Sequence, residues 1–235
     1  AVTAVAWWGL DGIWRLAAIG WITSAVLYWR LHTVAARPRG DGQGTLKAMM
    51  PQAKRVFPAV TWIIFPKVFL AVAITTYLPI FMRDELGTSL WLAAASLTIL
   101  EAAGVVGALF AGTLSDSFGR KRVLLILLAA APLILLVFLF GPSWLVIPSL
   151  VGLGLAAISP TPVMLAVVQD QFPDNRATAN GIFMFINFLT RAVAILFVGM
   201  VADRLGLSAA FMLGGGLALL SIPGVAMLPD TVETT

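Results

Sequence analysis

Gly112-Thr113-Leu114-Ser115-Asp116-Ser117-Phe118-Gly119-Arg120-Lys121-Arg122 is a short run of charge and glycine wedged between two long apolar stretches. A reduced copy, Gly199-Met200-Val201-Ala202-Asp203-Arg204-Leu205-Gly206, returns 87 residues later, 112 being matched by 199 and 119 by 206. The flanks agree too: Leu109-Phe110 precede the first copy and Leu196-Phe197 the second. Such an echo in so hydrophobic a chain points to structural repeats within a membrane.

Composition sets the solvent. Of 235 residues, 60% are hydrophobic and only 11% charged, against roughly a quarter charged in an ordinary soluble domain. A soluble fold of this length cannot hide so much apolar side chain, so the bilayer is the expected surroundings. The 21 glycines suit helices that pack closely in lipid. With no Cys and a single His, neither disulfides, thiol ligands nor a metal site are expected, and no cofactor is implied. The net charge of +4 lies mostly in loops, where it orients a membrane protein rather than binding nucleic acid. The chain begins at Ala1 with an apolar run too long and Trp-rich for a signal peptide, which reads as a cut within a longer protein.

Seven apolar runs, approximately 4–29, 58–82, 90–115, 123–141, 144–169, 179–202 and 208–228, can each cross about 30 Å of hydrocarbon. All are predicted helices, because an open strand edge in lipid leaves backbone groups unsatisfied. The fold class is therefore an all-α, polytopic membrane bundle. Its expected divisions are a first helix at 1–29, a basic linker at 30–57, a six-helix bundle at 58–229 and a tail at 230–235. The linker carries Arg30, Arg37, Arg39, Lys47, Lys54 and Arg55 around Pro38 and three glycines. Its 45–57 part reads equally well as an amphipathic surface helix or as solvated chain.

Alternating the spans sorts ten Lys or Arg (the 30–57 linker, Arg120 to Arg122 and Arg176) to one side and two (Arg83 and Arg204) to the other. The positive-inside rule places the first side, with the C-terminus, in the cytoplasm. Spans two to four and five to seven form two sets of three, inverted relative to each other, with the echoed motifs on opposite faces.

Gly112, Leu114, Asp116, Gly119, Arg120, Lys121 and Arg122 resemble the signature loop of the major facilitator superfamily. Asp174, Arg176, Ala179 and Gly181 resemble that family's loop before its eleventh helix, and the long basic connection resembles its central loop. The resemblance implies that span one is the family's sixth helix and the rest its seventh to twelfth, a C-terminal half with 3+3 inverted repeats. The first five helices, or a second half supplied separately, would then be partners. Ser159-Pro160-Thr161-Pro162 and residues 169–181 look most like the fosmidomycin-resistance-type drug exporters. The resemblance further implies that 112–122 is a conformational latch between halves; the alternative is that it only fixes topology. On chemical grounds Gly112 admits a neighbouring helix, and Asp116 can accept hydrogen bonds from a neighbouring helix N-terminus, where the dipole favours negative charge. Gly119 permits the reversal, and Arg120 to Arg122 anchor at anionic head groups. Gly199, Asp203 and Gly206 are the matching positions of the second copy.

Five ionisable residues fall inside spans: Asp11, Arg15, Lys67, Glu101 and Arg191. Unpaired, each would cost at least about 2.5–3.5 kcal/mol at the bilayer centre. Asp11 and Arg15 are one turn apart and can neutralise each other. Lys67, Glu101 and Arg191 lie near the midplane with no partner on their own helices, so their pairing must cross between helices. Asn187 stands one turn before Arg191, and Pro66 beside Lys67 frees a carbonyl. Glu101, on a helix whose Gly104, Ala108 and Gly112 recur every four residues, is the candidate proton carrier; a static salt bridge is the alternative. Pro160 and Pro162 must distort the fifth span, where Phe183, Phe185 and Phe188 shape an apolar cavity or simply face core and lipid.

No phosphate-binding glycine loop, nucleophile motif or potassium-filter sequence occurs, so an enzyme or a channel is not expected. The expected function is secondary active transport, most simply proton-coupled export of small, partly apolar compounds. The rivals are an importer of sugars or small anions and a non-transporting half that assembles with a partner.

Overall fold

The computed structural model describes residues 14–31 and 42–228, and within them every regular element is helical. Two compact units divide at Thr45 and Leu46. In the first, α1 spans Trp14–Leu31. It overlaps the end of the first predicted run, while residues 4–13, and Asp11 with them, lie outside the described residues.

The second unit begins within α2 (Gly42–Asp84), which is followed by α3 (Leu90–Phe118) and α4 (Arg120–Phe140). Next come α5 (Val146–Leu153), a π-helical stretch Gly154–Ile158 and α6 (Pro160–Gln171). Then follow α7 (Arg176–Leu205), α8 (Leu207–Leu219) and α9 (Ser221–Met227). Taken by length and hydropathy, these make six membrane-crossing segments among the described residues. Predicted and observed ends agree within three residues for α3, α4 and α7.

The largest difference lies upstream of the second span. Helix α2 begins at Gly42, not near 58, and continues through Pro51, Pro58, Pro66 and Pro79. Its first part is amphipathic: Met49, Val56 and Phe57 are buried, whereas Lys54 and Arg55 are exposed. That stripe packs on the bundle and does not lie apart on a membrane surface. Phe57 stacks on Phe172 at 5.6 Å, and the Gln52 amide donates to the Gln171 carbonyl at 2.5 Å.

Further along, Phe81 of α2 meets Phe211 of α8 edge-on at 4.8 Å and Phe138 of α4 at 5.6 Å. This aromatic cluster ties three helices together with dispersion and quadrupole contacts. Leu70 of α2 passes close to Gly214 of α8, where a Cβ would come within 3.2 Å of its Cα.

The fifth span breaks where its prolines predict. Pro160 and Pro162 cannot donate to the carbonyls four residues back, those of Ala156 and Ile158. The chain widens into the π stretch there, and α6 restarts at Pro160, where a missing N–H costs nothing. Gly154 packs directly on the Leu100 carbonyl and Ala103 of α3. Pro223 acts similarly after α8, and the helix restarts at Ser221.

The repeat is visible in the helix ends. Adding 87 to Asp84, Phe118, Arg120 and Phe140 gives 171, 205, 207 and 227, the ends of α6 and α7, the start of α8 and the end of α9. Each motif closes on one positive-φ glycine, Gly119 at 91° and Gly206 at 86°. Val123 N–H donates to the Gly119 carbonyl and Ala210 N–H to the Gly206 carbonyl, both at 3.2 Å. The copies sit at opposite ends. Arg120 meets Asp170 where Gln52 meets Gln171, whereas Ser208, next to the second motif, meets Glu85 at 3.5 Å. Gln52 and Glu85 are roughly 50 Å apart along α2 at 1.5 Å per residue.

Candidate functional site

Lys67, Ala71 and Thr75 recur every four residues and so share one face of α2. Met184, Asn187, Phe188 and Arg191 follow the same logic on α7, while Glu101 comes from α3 and Thr161 from the first turn of α6. Together with Val68, Ala157 and Ile158 these residues line one cavity of about 250 Å³. All four residues singled out from the sequence, Lys67, Glu101, Asn187 and Arg191, are thus brought to a single space.

Lys67 is 6% exposed, and its ammonium donates to the Thr161 hydroxyl at 2.5 Å. The Thr75 hydroxyl donates to the Ala71 carbonyl at 2.8 Å and accepts from the Arg191 guanidinium at 3.5 Å. The Asn187 amide donates to the Phe183 carbonyl at 3.0 Å, one turn back. The predicted cross-helix ion pair is not what assembles them. Ion pairs among the described residues are Arg83–Asp84, Arg120–Asp116 and Arg120–Asp170, and Glu101 is in none. The cavity therefore collects two cations and one carboxylate without closing them on each other. Phe188 forms part of its wall, Phe183 is core and Phe185 is exposed. A larger groove of about 760 Å³, lined by residues such as Phe57, Trp62, Phe65 and Leu217, is almost wholly apolar and offers only Lys54 as an ionisable group.

At the signature motif the expected loop shrinks to Gly119. Residues 112–118 complete α3, and Arg120, Lys121 and Arg122 open α4. Arg120 reaches Asp116 at 3.2 Å and Asp170, at the end of α6, at 2.5 Å. This corrects two expectations. Among the described residues Asp116 accepts from no backbone N–H and pairs with Arg120 instead. Arg120 is committed to two carboxylates, with its side chain 19% exposed, rather than turned to head groups. Gly112 is also not a close-approach point: a Cβ there would meet nothing within 4 Å. The tight face carries Gly104 and Gly107, where a Cβ would lie 2.6 Å from Ile158 Cδ1 and 2.9 Å from Leu155 Cα. The second copy keeps Gly199, Asp203 and Gly206 but has Leu207 where the first has Arg120, so the ion-pair cluster is not repeated.

The sequence profile of the Major Facilitator Superfamily matches residues 77–234, taking in both motifs and five of the six crossing segments nearly whole. The chain belongs to the major facilitator superfamily. This is a family of membrane transporters, not of enzymes. Among curated proteins, the chain is similar to the fosmidomycin resistance protein of Escherichia coli (strain K12), with 23% identity over 195 residues. That match covers 82% of this chain and 48% of the relative, so the chain spans about half the length of the protein it matches.

In this superfamily member, two residues of the candidate cavity and one of the Arg120 cluster are not singled out by the sequence. Thr75 stands two turns after Lys67, and that spacing was the available signal. Thr161 lay inside a motif read for its prolines and for its family resemblance, not for its hydroxyl. Asp170, the main partner of Arg120, was one polar residue among several at a helix end.

Proposed function

We propose that the full-length protein is a secondary active transporter working by alternating access, and that it exports small, partly apolar compounds in exchange for protons. The observation that carries this reading is the convergence of Lys67, Glu101 and Arg191, from three helices, on one cavity. Charged groups in a span face water-filled pathways or partners, because lipid excludes them. The cavity contains one carboxylate, Glu101, which serves as the proton carrier. The name of the curated relative, a resistance protein, favours the outward direction. The relative's greater length supports a working unit in which these six helices face a second helical half, with the substrate between them.

The membrane is the plasma membrane of a bacterial cell, and the end bearing Arg120, Lys121, Arg122 and Arg176 faces the cytoplasm, following the excess of basic residues there. The Arg120 cluster, with Gly119 as pivot, is the latch that opens and closes that end during the cycle.

A direct test is transport by the full-length protein with Glu101→Gln in vesicles carrying an imposed pH gradient. Loss of gradient-driven transport with retained substrate exchange is expected; intact gradient-driven transport would remove Glu101 as carrier. The net positive charge of the cavity favours one second reading, an importer of small anions. Accumulation in cells expressing the protein, set against cells lacking it, separates the two directions.

A further inference from the structure

We infer that the transported compound is a small organic anion of single charge, held by its oxyanion between Lys67 and Arg191. The inference rests on reading this cavity as the substrate site and adds the chemistry of the substrate.

Charge is counted first. Lys67 and Arg191 bring two positive charges to the cavity and Glu101 one negative, leaving one unmatched positive charge. Neither cation forms an ion pair among the described residues, although both line the same cavity. Lys67 is buried, whereas Arg191 and Glu101 are exposed; a buried ammonium without a counter-charge is expensive, and an oxyanion held between the two cations supplies it.

Hydrogen bonding leads to the same chemistry. An ammonium has three donors and a guanidinium five. Lys67 uses one, on Thr161, and Arg191 makes one long contact, to Thr75. Among the described residues no further protein acceptor is bonded to either cation, and the Glu101 carboxylate and Asn187 carbonyl in the same cavity pair with neither. An oxyanion offers several lone pairs and forms charge-assisted bonds with both groups. A neutral amide satisfies fewer of these donors, and an ammonium satisfies none.

The wall bears on the rest of the molecule. This half's share of the cavity, about 250 Å³, holds about eight water volumes of ~30 Å³ each, room for at least one ring or a short branched chain. Val68, Met184 and Phe188 supply an apolar surface for that body.

The test uses the full-length protein in detergent and three probes matched in shape: benzoate, benzamide and benzylammonium. Thermal unfolding is followed with each probe at millimolar concentration. Benzoate is expected to raise the unfolding temperature, and the other two are not. The benzoate dissociation constant should weaken about tenfold or more in Lys67→Met and Arg191→Met, as expected for losing a charge-assisted bond. Arg191→Lys, which keeps the charge and folds as the least disruptive change, should retain most of the effect. Lys54→Gln, outside the cavity, should leave it unchanged. Equal stabilisation by benzamide or benzylammonium, abolished by Lys67→Met, would uphold the cavity as the binding site and overturn the anion assignment. A benzoate effect that survives both charge-removing variants would place binding elsewhere and overturn both. No response to any probe would overturn the anion assignment, while gradient-driven transport lost in Glu101→Gln would still support the cavity.

Discussion

Gly119 and Gly206 stand 87 positions apart with φ of 91° and 86°, each the single residue between two long helices. Their equivalence is conformational, whereas the side chains around them have diverged. Both lie in a backbone region that only glycine enters freely. Gly119→Ala and Gly206→Ala should therefore each destabilise the fold by about 1–3 kcal/mol, seen as a lower unfolding temperature in detergent. No loss in either variant would mean that the turns are not held in this conformation.

Glycines inside helical segments should behave differently. Gly107→Ala puts a methyl 2.9 Å from Leu155 Cα, and Gly154→Ala drives one into the Leu100 carbonyl. Each should cost about 1–3 kcal/mol by overpacking. Gly112→Ala meets open space and should be neutral or stabilising by up to about 1 kcal/mol through helix propensity. Parallel thermal unfolding of the three variants checks the order.

Arg120 links Asp116 and Asp170 across two helix ends. A double-mutant cycle with Arg120→Gln and Asp170→Asn should give a coupling energy of about 1 kcal/mol, the upper range for an exposed pair. The coupling should shrink at high salt, because Asp170 is about a third exposed. Additive effects would show that the contact contributes nothing.

Thr161 is the acceptor for the Lys67 ammonium. Thr161→Val keeps the shape but removes the oxygen, and leaving a buried charged donor unmatched costs about 1–3 kcal/mol. Thr161→Ser should restore both stability and substrate binding. If Thr161→Val matches the parent in both measurements, the hydrogen bond has no functional weight.

Much of this was legible before the structure. Lys67, Glu101 and Arg191 stood out because charge inside an apolar run has no cheap explanation, and the glycine-ended motifs announced the repeat. Thr75 and Thr161 did not, because a hydroxyl in a membrane helix can bond its own backbone and need not signal a site. The start of α2 was hidden by Pro51, Pro58 and neighbouring charges, which read as linker until Phe57 and Gln52 find partners on Phe172 and Gln171. On α3, spacing alone offered Gly104 with Gly112, whereas the packed face carries Gly104 with Gly107; the neighbour that decides, the π stretch at Gly154–Ile158, lies fifty residues on in sequence.

Sidedness is the most direct test of the inverted arrangement. The chain has no cysteine, so Lys121→Cys and Asp203→Cys can each be labelled in intact cells with a membrane-impermeant maleimide without background. The account predicts that one of the two is labelled from outside and the other only after permeabilisation, with Lys121→Cys the protected one. Labelling of both from the same side would contradict the two oppositely oriented helix triplets, and with them the proposal that the cavity between α2, α3, α6 and α7 serves transport.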